Sequence, residues 1–216
     1  PVLFPGENNA LQGIAEKESR AESCEMLSIP ADKQVVAIGY NANPNHQHVT
    51  VLNQLSRMPE DCRQRMHILL PMTYPSISDG YRAELMAALE GLGSTSTIIE
   101  GFQSDEAIAR MQRVSTVMIH AQTSDAASAS IKEFLRAGAV LLNPSWIDYC
   151  ELRGAGVDYI EYDEIAEIPG LLQQVLDGSL SSDTAGNMAL LQGCDSMNRE
   201  IVEGWHEVYS FIERRR

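Results

Sequence analysis

The sequence contains few cysteines and few basic residues, and each shortage argues against a class of protein. Cys24, Cys62, Cys150 and Cys194 are widely separated, with no C-x-x-C pair and no histidine at metal-ligand spacing. This pattern argues against a zinc ribbon and a disulfide scaffold, so we expect no bound metal. Lysine and arginine number 16 against 30 acidic residues, which gives a net charge of −14. Because so acidic a surface repels a phosphate backbone, we expect no nucleic-acid partner.

Long apolar runs and the common catalytic motifs are also missing. No apolar segment approaches the roughly 20 residues that span a bilayer, and no signal peptide is recognisable, so we expect a cytoplasmic protein. The loop after the first predicted strand has no GxGxxG sequence and no P-loop lysine. No serine lies in a nucleophile elbow, and H-E-x-x-H does not occur. These absences argue against dinucleotide oxidoreductases, P-loop ATPases, hydrolases and metalloproteases.

Short apolar segments alternate with helical patterns from Val35 onward, which is typical of βαβ units around a parallel sheet. The predicted strands are 35–40, 67–71, 96–102, 117–121, 140–144 and 158–162. The predicted helices include 46–57, 79–92, one capped by Ser104, 169–176 and a long C-terminal helix at 187–214. The fold class is therefore α/β, with a single Rossmann-like, doubly wound parallel sheet of about six strands and flanking helices.

The N-terminal segment has a different character from the rest. Residues 1–30 are irregular or helical and acidic at their centre, and we expect an interdomain linker with a helix at about 16–27. Residues 31–216 then form the Rossmann-like domain. Because the chain begins at Pro1 without a methionine, we expect it to be part of a longer protein.

The most informative segment is 116–144, TVMIHAQTSDAASASIKEFLRAGAVLLNP. It predicts a buried strand, a loop of small and polar residues, a short helix and a second buried strand. The start of such a helix offers unpaired N–H groups and a positive dipole end to a phosphate. Asp125 lies in the loop and Glu133 lies eight positions later in the helix, where a carboxylate can bind a sugar hydroxyl. This combination indicates a nucleotide-sugar site.

Several of these polar residues also have structural interpretations. Ser130 to Glu133 match the capping-box pattern, in which Glu133 bonds back to the helix start. Asp125 also fits a turn or a cap. His46 and His48 lie near a predicted helix start, either as neutral donors to a ligand or as solvated side chains, and solvation is favoured for His48. His120 lies in a predicted strand, where a hydrogen-bonded core histidine is favoured over a catalytic base.

The order of elements and the segment SDAASASIKEFLRAGAVLLNPSW resemble the C-terminal, donor-binding domain of GT-B-fold glycosyltransferases. Those enzymes show an acidic residue, a small-residue loop, a glutamate eight positions later and an alanine–glycine pair. Asp125, Glu133 and Ala137-Gly138 stand at these positions. The resemblance implies that Glu133 binds the donor ribose. It also implies that the backbone from Ala126 through Ser128 to Ser130 receives the diphosphate.

Three further loops carry implied donor contacts. IEGFQSDEAIARMQRVSTVMI resembles the stretch whose loop holds the nucleobase, which implies contacts by Gly101, Phe102 and Gln103. IGYNANPNHQH and ILLPMTYPSISDGY are similar to bacterial transferases that build surface polysaccharides, including the 4-acetamido-4,6-dideoxygalactose transferase group. The contacts implied there are Asn41, Asn43, Asn45, His46, Thr73 and Tyr74.

The chain also departs from the family pattern. The usual glycine-rich loop is replaced by Ala126-Ala127-Ser128, and the basic residues that many relatives place after the first strand are missing. Lys132 and Arg82 are the candidates for replacing that charge. The three arginines that end the chain fit either a peripheral contact with an anionic membrane or a solvated chain end, and the second is favoured.

The resemblance implies the donor-binding half of a cytoplasmic bacterial glycosyltransferase for polysaccharide or glycoconjugate synthesis. The donor would be a nucleoside-diphosphate sugar, used as a co-substrate without another cofactor. The acceptor, a glycan or a lipid-linked molecule, would bind an N-terminal domain that this chain does not contain, so the chain alone would be inactive. Two alternatives stay open, a UDP-sugar 2-epimerase-like enzyme and a non-catalytic Rossmann-like interaction domain.

Overall fold

Six parallel strands form the centre of the protein, whose computed structural model describes residues 10–125 and 128–192. Their order across the sheet is β3-β2-β1-β4-β5-β6. The strand order reverses between β1 and β4, which is where open α/β sheets bind ligands beyond the strand ends. The strands are β1 (Gln34–Ile38), β2 (Met66–Met72), β3 (Thr95–Glu100), β4 (Val117–Ile119), β5 (Val140–Pro144) and β6 (Ile160–Tyr162).

Helices cover both faces of this sheet. Among the helices that the structure describes, none has both the length and the apolar character needed to cross a membrane. Short 3-10 helices occupy Pro44–His46 and Ile165–Glu167. The α-helices are α1 (Ala10–Lys17), α2 (Arg20–Met26), α3 (His48–Leu55), α4 (Glu60–Arg65), α5 (Asp79–Leu92), α6 (Asp105–Val114), α7 (Ala129–Arg136), α8 (Cys150–Gly154), α9 (Ile168–Asp177) and α10 (Thr184–Gln192).

The predicted α/β fold is confirmed, and the differences lie mainly outside the sheet. The single helix expected at 16–27 is two helices, because Ser19 forms a capping box with Glu22 and starts α2 anew. The short, charged helices α4 and α8 were not predicted. The C-terminal helix begins at Thr184, three residues before its predicted start, and the predicted part from 193 to 214 lies outside the described residues.

Alternating strand side chains build a core on each side of the sheet. On one face, the core around Val36 and Ile68 packs against α3, α5 and α9. On the other face, the core around Val35 and Leu69 packs against α6, α7 and α8. Strands that are covered on both faces are apolar on both faces, which explains why the buried strands β1, β2, β4 and β5 are mostly continuous apolar runs. The carboxyl ends of β1, β2 and β4 thereby share one fixed edge.

Three histidines are enclosed at this edge. His46, His48 and His120 are 0 % exposed. The predicted solvation of His48 is wrong, because α3 turns its first side chain inward, where Nδ1 lies 2.8 Å from the hydroxyl of Tyr81. His120 is a hydrogen-bonded core histidine, with Nδ1 lying 3.0 Å from Oδ1 of Asn143. Burial lowers the pKa of His46 to about 3 and that of His48 to about 4.

The enclosed histidines predict a loss of stability in mild acid. An unfolded histidine takes up a proton near pH 6.5, whereas folded His46 stays neutral down to about pH 3. The unfolded state therefore binds more protons below pH 6.5, and the free energy of unfolding falls as the pH falls. We expect His46→Leu to reduce this slope by up to about 1.4 kcal/mol per pH unit, measured by urea unfolding between about pH 7 and about pH 5. Equal slopes for wild type and variant would contradict this account.

Gly39 predicts a second effect on stability. Its φ is +66°, and an added Cβ would lie 2.7 Å from Nε2 of His48 and 2.9 Å from Cγ of His46. We expect Gly39→Ala to lower the free energy of unfolding by about 3 kcal/mol, from backbone strain and overpacking together. Gly93 is the matched control, because its φ is +70° and its added Cβ would lie no closer than 3.4 Å to Arg63. Gly93→Ala should cost about 1 kcal/mol, and equal losses at the two sites would show that the histidines do not restrict Gly39.

Candidate functional site

A cleft of about 790 Å³ opens at the carboxyl edge of β1 and β2, between α6 and α7. Helix α1 contributes a further side of it. Its described lining residues are Ala10, Gly13, Ile14, Lys17, Tyr40, Pro71, Thr73, Tyr74, Asp105, Glu106, Ile108, Met111, Gln112, Ala129, Ser130, Glu133 and Phe134. The cleft thus lies at the edge where the sheet topology predicts ligand binding.

Four of the predicted site residues line this cleft, namely Thr73, Tyr74, Ser130 and Glu133. They come from two separate segments, the loop after β2 and the first turns of α7. The structure therefore brings together residues that the sequence separates by more than 50 positions. Ser128 stands just before α7 as its N-cap. Ala126 lies outside the described residues.

The start of α7 borders the cleft and has no side-chain cap from its N-cap residue. The Ser128 side chain makes no capping hydrogen bond, and the next two residues, Ala129 and Ser130, line the cleft. The predicted capping box at Ser130 and Glu133 is wrong, because Ser130 lies inside the helix instead of at its cap. An uncapped helix start presents N–H groups and a positive dipole end, which suit an anionic oxygen.

Glu133 is held by a residue that the sequence analysis missed. Gln112 of α6 is 1 % exposed, and its Nε2 donates to Oε2 of Glu133 at 2.6 Å. The carboxylate fixes which end of the amide is the donor, so Oε1 of Gln112 is the acceptor end. That oxygen is buried and has no hydrogen-bond partner within the described residues. A sequence signal existed, since Gln112 lies four positions after Ile108 on the inward face of α6.

Asp125 lies at the centre of a hydrogen-bond network that reaches the cleft through Tyr40, and it is not itself among the described lining residues. Its Oδ2 accepts from the hydroxyl of Tyr149 at 2.6 Å and from that of Tyr40 at 3.3 Å. Nε2 of His120 lies 3.5 Å from the same oxygen. Burial raises the pKa of Tyr40 to about 12 and also raises that of Tyr149. Asp125 thus joins the ends of β1 and β4 to the segment before α8, and its predicted ligand contact stays a prediction.

The predicted contacts after β1 shape a turn, and none of them is among the described lining residues of the cleft. Oδ1 of Asn41 accepts from the backbone N–H of Asn43 at 2.8 Å, and Oδ1 of Asn43 accepts from that of Asn45 at 3.0 Å. These local bonds place His46 beneath Tyr40, where their ring centroids lie 4.4 Å apart. Tyr40 itself lines the cleft, so the turn supports a lining residue.

The predicted nucleobase contacts after β3 are also absent from the described lining of the cleft. Phe102 is 95 % exposed, and Gln103 bonds back to the carbonyl oxygen of Glu100 at 2.8 Å. Gly101 turns the chain there with a φ of +75°. Gly101, Phe102 and Gln103 therefore lie at the sheet edge without facing the cleft, and their predicted role stays a prediction.

The charges around the cleft differ from the expected pattern. Of the described lining residues, the basic one is Lys17 of α1, which the sequence analysis did not select. Lys132 and Arg82, the predicted replacements, do not belong to the described lining, and Arg82 pairs with Glu100 on the surface. A bound diphosphate would therefore depend mainly on helix N–H groups and hydroxyls, with one ammonium group nearby.

Several solved glycosyltransferase structures have a similar fold. HepE from Anabaena, in complex with UDP and glucose, matches with a TM-score of 0.70 and 17% identity over 94% of this chain and 55% of that one. A glycosyltransferase from Rickettsia africae matches with a TM-score of 0.71 and 11% identity, over 94% of this chain and 55% of that one. WaaG, a glycosyltransferase involved in lipopolysaccharide biosynthesis, matches with a TM-score of 0.63 and 14% identity, over 92% of this chain and 50% of that one.

No protein-family model matches the chain, and no curated protein matches it. The chain spans about half the length of the solved structures described above. At these identities the similarity concerns the fold. The chain therefore has the fold of one Rossmann-like half of these glycosyltransferase structures.

Proposed function

We propose that this chain is the donor-binding half of a glycosyltransferase that moves a sugar from a nucleoside-diphosphate sugar to a polysaccharide or glycoconjugate acceptor. The observation that carries the proposal is the position of Glu133. Its carboxylate lines the cleft beside the uncapped start of α7 and is oriented by Gln112. A fixed carboxylate next to a helix N-terminus matches adjacent ribose hydroxyls and phosphate oxygens.

Each part of the site has a distinct role in this reaction. Glu133 accepts hydrogen bonds from the ribose and fixes the position of the nucleotide. The first N–H groups of α7 receive the diphosphate, whose negative charge grows as the bond between the sugar's anomeric carbon and the phosphate oxygen breaks. Helix N–H groups aimed at that charge stabilise the transition state without reorganisation. The hydroxyls of Ser130, Thr73 and Tyr74 supply further donors on the same side of the cleft.

The acceptor, the catalytic base and the type of polysaccharide involve the whole protein. The half that this chain does not contain binds the acceptor and, in an inverting enzyme, supplies the base that takes the acceptor's proton. The HepE complex with UDP and glucose supports a nucleotide-sugar donor, and the similarity to WaaG, which is involved in lipopolysaccharide biosynthesis, supports a polysaccharide or glycoconjugate acceptor. The reaction proceeds in the cytoplasm without a metal or a further cofactor.

The role of Glu133 predicts a loss of donor affinity in Glu133→Gln, measured by calorimetry on the full-length protein with UDP, dTDP and GDP. Glutamine keeps the size and the bond with Gln112 but removes the negative charge. Losing charge-assisted hydrogen bonds worth about 1.5–3 kcal/mol should weaken binding roughly tenfold to 100-fold. The melting temperature should not change.

Glu151→Gln is the matched control, because Glu151 is an exposed residue of α8 that does not line the cleft. It should leave affinity unchanged. If wild-type protein binds none of the three nucleotides, or if Glu133→Gln binds as tightly as wild type, the chain is not this donor site. The non-catalytic interaction domain would then be the better account.

The transferase proposal also predicts that donor sugar is not epimerised without an acceptor. The enclosed His46, His48 and His120 are 0 % exposed and do not belong to the described lining of the cleft, so none of them can take a proton from the sugar. Incubating the full-length protein with a UDP-sugar and no acceptor should therefore return the same sugar, as followed by proton NMR. Appearance of the 2-epimer would instead support the UDP-sugar 2-epimerase alternative.

A further inference from the structure

One face of α1 forms a side of the cleft, although this helix precedes the sheet. Its cleft-lining residues are Ala10, Gly13, Ile14 and Lys17. Their spacing of three, four and seven positions puts them on a single helical face. The segment that the sequence analysis assigned to a linker therefore carries part of the site.

Contacts with α6 fix α1 and the segment after it in this position. Leu11 and Ile14 pack with Ala109 of α6 in a small apolar cluster. Directly after α1, Glu18 accepts from Arg110 at 2.6 and 2.9 Å, and this pair is about four-fifths buried. Because one end of the helix is held by an ion pair and its inner face by apolar packing, the cleft-lining face has a defined position.

Gly13 leaves space on this face. A Cβ added at Gly13 would meet no atom within 4 Å, and its φ does not lie in the left-handed region. The backbone therefore does not require glycine, which is less favourable than alanine inside a helix. The missing side chain instead enlarges the cleft beside Ala10 and Ile14.

The lining of the cleft includes apolar and charged side chains from α1 and α6. Ile14, Ile108 and Met111 are apolar, whereas Lys17, Asp105 and Glu106 are charged. The apolar side chains suit the flat faces of a base, and the hydroxyls and Glu133 elsewhere in the cleft suit the ribose and diphosphate. The ribose at Glu133 then directs the base toward α1.

Gln112 supplies an independent indication of a ligand group. Gln112 lines the cleft, although its side chain is almost fully buried, with 1 % exposure. Its Oε1 has no hydrogen-bond donor within the described residues. A buried acceptor without a donor is unfavourable, and an N–H group of a ligand would supply the missing hydrogen bond. The N–H groups of a nucleobase are such donors.

Resting on the proposed function, we infer that the nucleobase binds between α1 and α6, with Gly13 setting the available space and Oε1 of Gln112 accepting from a base N–H. The substrate-binding unit thus includes a helix outside the Rossmann-like sheet.

The test uses Gly13→Leu in the full-length protein, with UDP and ribose 5-diphosphate, which lacks the base, as ligands in calorimetric competition. Wild type should bind UDP at least tenfold more tightly than ribose 5-diphosphate. In Gly13→Leu the leucine occupies the base position, so UDP affinity should fall to that of ribose 5-diphosphate while the latter is unchanged. Gly13→Ala, which adds only a methyl group, should retain most of the UDP affinity.

Gly91→Leu is the matched control, because Gly91 is also a helical glycine with no atom within 4 Å of an added Cβ and lies on α5, outside the cleft lining. It should change neither affinity. An unchanged UDP affinity in Gly13→Leu would overturn the inference, and so would an equal loss for both ligands, which would place the sugar or diphosphate against α1. If wild type binds no nucleotide at all, it is the proposed function that fails.

Discussion

The hydrogen bond from Gln112 to Glu133 is the interaction on which the site depends. It joins α6 to α7 at 2.6 Å and holds the carboxylate against α6. In the proposed function, the first turn of α7 receives the diphosphate and the carboxylate receives the ribose hydroxyls. A bond of glutamate to its own helix start would have closed both sites at once. The amide of Gln112 thus distinguishes the proposed nucleotide site from a helix start that is closed by a capping box.

The fold supplies the position of this pair, and residues outside the sheet complete the site. Reversal of strand order between β1 and β4 leaves space at the sheet edge, and the enclosed histidines and the Asp125 network hold the loops beside it. Helix α1 adds an apolar face and Lys17. An acidic chain can hold a diphosphate in this way because helix N–H groups act at short range, whereas the net charge acts at long range.

Features set by neighbouring residues were predictable from the sequence. Helix α5 lies at the predicted 79–92 because Ser78 caps its start and Gly93 ends it. The strands β1, β2, β4 and β5 were predictable because burial on both faces gives mostly continuous apolar runs. Gln112 and α1 were not identified as parts of the site, because their roles depend on how helices pack across the sheet. His48 was misassigned for the same reason, since an inward turn of α3 is not encoded in the local charge pattern.

A structure of the full-length protein with UDP bound would test the role of Glu133 in the cleft. We expect ribose hydroxyl oxygens within about 3.2 Å of the Glu133 carboxylate, with phosphate oxygens at the first N–H groups of α7. UDP bound elsewhere, with the start of α7 covered by protein groups and Glu133 without contact to the ribose, would contradict it.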